Sequence, residues 1–304
     1  MRHLLWSAAA ALLVAGCSQA PGHEAAAKAQ PDPRPLGGSL HFTAAESAAL
    51  HRAEEREVQK CMRSRGFGYS EVPVGDVQRE AATSPYGLLP RSRAAQDGYG
   101  LTVQRLKTPP ADPNAQRLSA LSERERGVWE AALKGAENGP RQVIELPEGP
   151  SLSIPTGSCA SVARQKVYGT SWERNHFTLQ NLSNSIVEDT LDHPLVKAAE
   201  RKWVVCMRHE GFPYQDREDP LRAMRRHLDS GKSDAAGLRA TGEEELRIAR
   251  RDAACQAEAD LAEQVARAQK LVESALSPAR TSVLKDFRAA RQAALTGAGV
   301  PLAR

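Results

Sequence analysis

A seventeen-residue segment occurs twice in this chain, and it limits the possible fold more than any other feature. Residues 53–69 read AEEREVQKCMRSRGFGY and residues 198–214 read AAERKWVVCMRHEGFPY, ungapped at an offset of 145. Nine of the seventeen positions are identical: Ala53/Ala198, Glu55/Glu200, Arg56/Arg201, Cys61/Cys206, Met62/Met207, Arg63/Arg208, Gly66/Gly211, Phe67/Phe212 and Tyr69/Tyr214. Each copy reads as the last turns of an amphipathic helix followed by its stop signal. In the second copy Val196, Ala199, Trp203, Cys206 and Met207 recur at helical spacing and are expected to share a buried face. Gly66 and Gly211 stand where a helix leaves through a left-handed residue, with Phe67 and Phe212 placed to pack back on Met62 and Met207. Packing and capping account for the repeat. A binding role for it falls to Arg63, Tyr69, Arg208 and Tyr214, and to His209, where the second copy has His209-Glu210 in place of Ser64-Arg65.

The chain has five cysteines. Setting Cys17 aside leaves Cys61, Cys159, Cys206 and Cys255, an even set that in an exported protein reads as two disulfides. No CxxC pair and no zinc-ligand spacing is present. Each repeat copy is followed by one further cysteine, so the order along the chain favours Cys61 with Cys159 and Cys206 with Cys255. Four cysteines still allow three pairings.

Cys17 is set aside because of what precedes it. Residues 1–16 have a short charged start, an apolar run over 4–15 and a small-residue step before the cysteine. An apolar run of about a dozen residues falls short of the roughly twenty that span a bilayer, so it reads as a signal peptide. The junction Val14-Ala15-Gly16-Cys17 resembles the lipobox of bacterial lipoproteins, with Val14 in place of the usual leucine. That resemblance implies cleavage before Cys17, acyl chains on Cys17 (the palmitate class of modification) and anchoring at the outer face of a membrane. Residues 17–39, rich in Ala, Pro and Gly, are expected to form a lipidated flexible tether.

Beyond the tether the expected fold is mainly α: disulfide-braced helical bundles with one short β-hairpin. A first helical half covers 40–170. It opens with a helix over 43–65 whose Thr43 and Glu46 have capping-box spacing. A breaker-rich loop over 75–118 holds short helical pieces, a second capped helix covers 122–134, and a hairpin lies within 141–155. The second half, 171–304, is read as helices around 179–188, 193–209 and 219–230, a loop over 231–242, one long helix over 243–276 and a last one over 280–295. Pro278 ends the long helix.

The CMRxxGFxY helix ends, the GSCASVARQKVYG segment, DHPLVKAAERKWVVCM and EEELRIARRDAACQ together resemble a group of exported lipoproteins of high-GC Gram-positive bacteria. The resemblance covers roughly 119–261 and, more weakly, 50–100. It implies an extracytoplasmic, membrane-anchored location and a disulfide-braced helical fold, and it brings no activity and no catalytic residue with it.

The balance of 41 Lys+Arg against 37 Asp+Glu, interspersed along the chain, gives no nucleic-acid footprint. HExxH, GxSxG, GxxxxGK[ST] and a helix-opening GxGxxG are all missing. Weak acid-base pairs remain in Glu188 or Asp189 with His176 or His193, and Ser158 lies in a small-residue turn. No cofactor and no metal is expected. The leading expectation is a non-enzymatic envelope module on a lipid anchor, binding an envelope protein, a wall polymer or a small ligand. A divergent surface or wall hydrolase, and a thiol/disulfide sensor using Cys206 and Cys255, are the alternatives.

Overall fold

The computed structural model describes residues 30–108, 110–147, 149–230 and 234–301. The signal peptide, Cys17 and the tether as far as residue 29 lie outside the described residues. The described part, from Pro31 on, forms a single unit, with thirteen α-helices and one two-stranded sheet. Among the described residues no helix is long and apolar enough to cross a membrane.

The chain joins the body earlier than its composition implies. Arg34 to Ser39, expected as the end of a tether, form a docked turn in which Leu36 is buried and its N–H donates to Glu273 Oε1 at 2.7 Å. Leu36 packs among Trp172, Leu179, Leu182, Ile186 and Phe287. A Pro-rich run lacks periodicity but still has a Leu to bury, and burial of one such side chain is worth about 2 kcal/mol.

Helix α1, Ala44–Ser64, starts on a full capping box: Thr43 Oγ1 accepts from Glu46 N at 3.2 Å, and Glu46 Oε2 accepts from Thr43 N at 2.8 Å. The breaker-rich stretch holds three six-residue helices, α2 (Val77–Ala82), α3 (Arg91–Gln96) and α4 (Leu101–Leu106). Helix α5 (Ala115–Ser119) is a single short piece, and α6 (Glu123–Lys134) has the second capping box at Ser122 and Glu125. Strands β1 (Arg141–Ile144) and β2 (Leu152–Pro155) pair antiparallel, Arg141 opposite Pro155 and Ile144 opposite Leu152.

Helices α7 (Cys159–Tyr168), α8 (Trp172–Asp192), α9 (Pro194–His209) and α10 (Asp219–Ser230) follow. The single long helix expected over 243–276 is two, α11 (Ala235–Glu258) and α12 (Leu261–Ser274), divided at Asp260 with φ 52°. Aspartate is among the few residues that tolerate this left-handed conformation. Helix α11 also starts within the expected loop, because Asp234 caps it by accepting from Gly237 N at 2.7 Å. Helix α13 is Leu284–Gly297.

Packing interleaves the two sequence halves. Helix α9 lies on α11 and α12, α8 on α12 and α13, and α1 on α7 and α13. The early segment around Tyr86 and Leu88 is buried with Val196, Leu261 and Val265, and Leu89 and Ala94 with Ala249 and Ala253.

Candidate functional site

The two repeat copies build the same helix end twice. In the first, Phe67 N donates to Met62 O at 2.9 Å and Gly66 N to Arg63 O at 3.0 Å; in the second, Phe212 N donates to Met207 O at 2.8 Å and Gly211 N to Arg208 O at 3.1 Å. This pair of bonds is the Schellman motif, and both glycines are left-handed, at φ 80° and 88°. Met62 and Met207 are wholly buried. One residue earlier in each copy a cysteine reaches sideways. Cys61 bridges to Cys159 of α7 and Cys206 to Cys255 of α11, with Cα separations of 5.4 and 5.6 Å. The equivalent carboxylates Glu55 and Glu200 both hold the returning chain. Glu55 accepts from the Tyr69 hydroxyl and Val72 N, each at 2.8 Å, and Glu200 from Arg217 Nε at 3.0 Å.

The residues singled out from the repeat do not form one site. Tyr69 is 6% exposed, bonded to Glu55 and stacked on Trp129 at 6.0 Å. Burial first, then the Glu55 hydrogen bond, pushes its phenol well above the usual range. Tyr214 is half-buried and stacked on Phe212 at 5.7 Å, and Arg247 covers the same Phe212 ring at 4.8 Å. Arg63 and Arg208 are exposed at their helix ends. His209 lines an opening beside α9.

Of the remaining chemical candidates, Ser158, His193 and His176 are built into the structure, whereas Glu188 and Asp189 are exposed on α8. Ser158 Oγ accepts from Ser161 N at 3.1 Å and His193 Nδ1 from Leu195 N at 3.2 Å, so both cap helices. His176 lies against Trp172 and Phe287 with centroids 5.9 and 6.1 Å apart, and burial lowers its pKa. Glu188 is twelve residues further along α8, about 18 Å at 1.5 Å per residue, which removes it as a partner.

The opening that takes His209 is a groove of about 720 Å³ between α9 and the end of α11. Arg201, Lys202, Val205, Cys206 and Glu258 line it with His209, and Val205 is 64% exposed. Glu258 Oε2 stands 3.5 Å from Cys206 Sγ. A bridged sulfur has no proton to donate, so this contact sets a negative charge beside the reachable sulfur of the second disulfide. An attacking thiolate is repelled there, and Cys255, wholly buried, is a poor leaving group.

No family model, no curated protein and no solved structure matches this chain.

The buried titratable groups serve the interior. Asp252 accepts from Trp203 Nε1 and Tyr99 OH at 2.8 Å and from Gln256 Nε2 at 2.9 Å. Glu245 accepts from Leu101 N and Thr102 N, both at 2.8 Å, and Gln256 Oε1 from Leu89 N at 3.0 Å. These side chains of α11 satisfy the backbone of an irregular segment, which would otherwise be buried unpaired. Among the described residues no group of three or more His, Cys, Asp or Glu is placed to hold a metal ion. Sequence reasoning missed Arg79, Arg93 and Lys107, which packing gathers around a second opening between α2, α3 and α4.

Proposed function

We propose that this chain is an extracytoplasmic lipoprotein, anchored by acyl chains on Cys17, whose helical body is a non-enzymatic binding or interaction module of the cell envelope. The observation that carries the reading is the pair of disulfides at Cys61–Cys159 and Cys206–Cys255, one at each repeated helix end. Such bridges persist in oxidising compartments, as the lipobox-like junction ahead of Cys17 requires. The placement of the titratable side chains supports the second half of the reading. His209, Glu210 and Glu258 in the groove are all solvent-exposed, and the buried carboxylates Glu245 and Asp252 are spent on interior hydrogen bonds. A thiol/disulfide sensor is disfavoured by the buried Cys255 and the carboxylate beside Cys206.

Mass spectrometry of the protein extracted from membranes without reduction tests this. The expected result is an N-terminus at Cys17 with acyl mass and no free thiol. A Cys17→Ala chain that still fractionates with the membrane would overturn the anchor.

A further inference from the structure

A cleft of about 280 Å³ opens between α2, α3 and α4, and its charged lining is Asp76, Arg79, Arg93, Asp97 and Lys107. Three cations thus face two carboxylates, and one carboxylate is already engaged. Asp76 accepts from Lys107, and more distantly from Arg79 Nε at 3.5 Å. Arg93 is half-buried, and its Nη1 donates to Ala82 O at 2.6 Å. Arg34 donates from Nη1 to the next carbonyl, Thr83 O, at 2.5 Å, so two guanidinium groups converge on the end of α2. Capping a helix end uses one of five donors in each fork. Burial, then the Arg79 charge, holds Arg93 below the ordinary arginine range; Arg34 acts in the same sense and Asp97 opposes it.

The position of Arg79 depends on a glycine. Its Nη1 donates to Gly100 O at 2.6 Å, and a Cβ on residue 100 would lie 2.1 Å from that same nitrogen. Gly100 also needs its φ of +78°. The glycine thus leaves room for a guanidinium directly against the backbone at the cleft wall.

Two forks and an ammonium, brought from α2, from α3 and from the residue just after α4, line the same cleft, and an anion there shares Lys107 and Arg79 with Asp76. One arginine fork already satisfies a planar carboxylate, whereas a tetrahedral phosphoryl group uses all three. The volume is at the small end of ligand sites, roughly 300–1,000 Å³, which fits one phosphoryl group on a short carrier. We propose that this cleft is a phosphoryl-anion site in which Arg79, Arg93 and Lys107 hold the phosphate of a small phosphoester. The inference rests on the reading of the chain as a binding module and is independent of the lipid on Cys17. Mass spectrometry tests the anchor and ligand titration tests the cleft, so the two fail separately.

The test is calorimetric titration of the full-length protein with inorganic phosphate, glycerol 3-phosphate and glycerophosphoglycerol, repeated with Arg93→Gln and Lys107→Gln. Saturable binding of at least one probe is expected, weakened at least about tenfold in either variant, as the loss of one charge-assisted contact requires. Binding of the diester assigns a lipid or polymer headgroup as the source; binding of the monoester or inorganic phosphate alone assigns a soluble one. Lys107 is 53% exposed, so its variant is expected to fold even where Arg93→Gln does not, with circular dichroism as the control. No saturable binding at millimolar concentrations, or equal binding by wild type and the folded variants, overturns the site.

Discussion

The indole Nε1–H of Trp203 donates to Asp252 Oδ1 at 2.8 Å, with Trp203 at 0% and Asp252 at 3% exposure. The same carboxylate receives Tyr99 and Gln256, so one buried side chain ties α9, α11 and the breaker-rich segment together. Desolvation outweighs these three donors and pushes the carboxyl above the usual carboxylate range. Removing it strands three donors in the interior. Asp252→Ala is expected to cost about 3 kcal/mol or more. Asp252→Asn, which keeps an acceptor and removes a desolvated charge, is expected to cost clearly less. Urea unfolding followed by tryptophan fluorescence measures both, and an alanine variant as stable as wild type would show that the network does not hold these elements.

The second bridge closes a loop with a sequence separation of 49. Cys206→Ala is therefore expected to lose about 4 kcal/mol through the freed unfolded chain. Cys255, at 0% exposure, is expected to react with a thiol reagent only after denaturant is added. Rapid labelling of that thiol in the folded variant would contradict the packing described.

A Cβ at Gly66 or Gly211 would meet nothing within 4 Å, so only backbone strain opposes a side chain there. Alanine at either position is expected to cost about 1 kcal/mol, the usual penalty of the left-handed region. Gly100→Ala is expected to cost more, since its Cβ would displace the Arg79 guanidinium from its hydrogen bond to Gly100 O. Chemical denaturation of the three variants gives the comparison, and equal losses would refute it.

Acidification should expose His176. Its folded pKa is lowered by burial, so the unfolded chain binds the extra proton first. The contribution is full above the unfolded value near 6.5 and is lost as pH falls through it. Stability measured at pH values on either side of 6.5 is expected to drop on the acid side, and His176→Leu is expected to flatten that drop. An unchanged slope in the variant would assign the acid sensitivity elsewhere.

What could be read from sequence was local. Thr43 with Glu46, Ser122 with Glu125 and the Gly-Phe helix ends all act within about one helical turn, and each has the hydrogen bonds its spacing implies. The division at Asp260 is masked in the sequence because Leu261 and Val265 keep a helical rhythm on its far side. Docking of Leu36 depends on α8, α12 and α13, which lie more than a hundred residues away. The cationic cleft has no motif at all. Arg79, Arg93 and Lys107 are separated by irregular chain, and distant groups fix the segment that carries them: the clamp from Glu245, Asp252 and Gln256 and the burial of Tyr86, Leu88, Leu89 and Ala94.

That clamp changes how the molecule comes apart. The bridges close two covalent rings, one from Cys61 to Cys159 and one from Cys206 to Cys255, which share no residue. Yet the segment around Tyr99 and Leu101 belongs to the first ring and is held by Asp252 and Glu245 of the second. Leu89 and Ala94 of the first ring are also buried against Ala249 and Ala253 of the second, so opening either ring uncovers apolar surface of the other. A protease nick between α3 and α4 falls inside the first ring, so its two pieces stay joined through Cys61–Cys159.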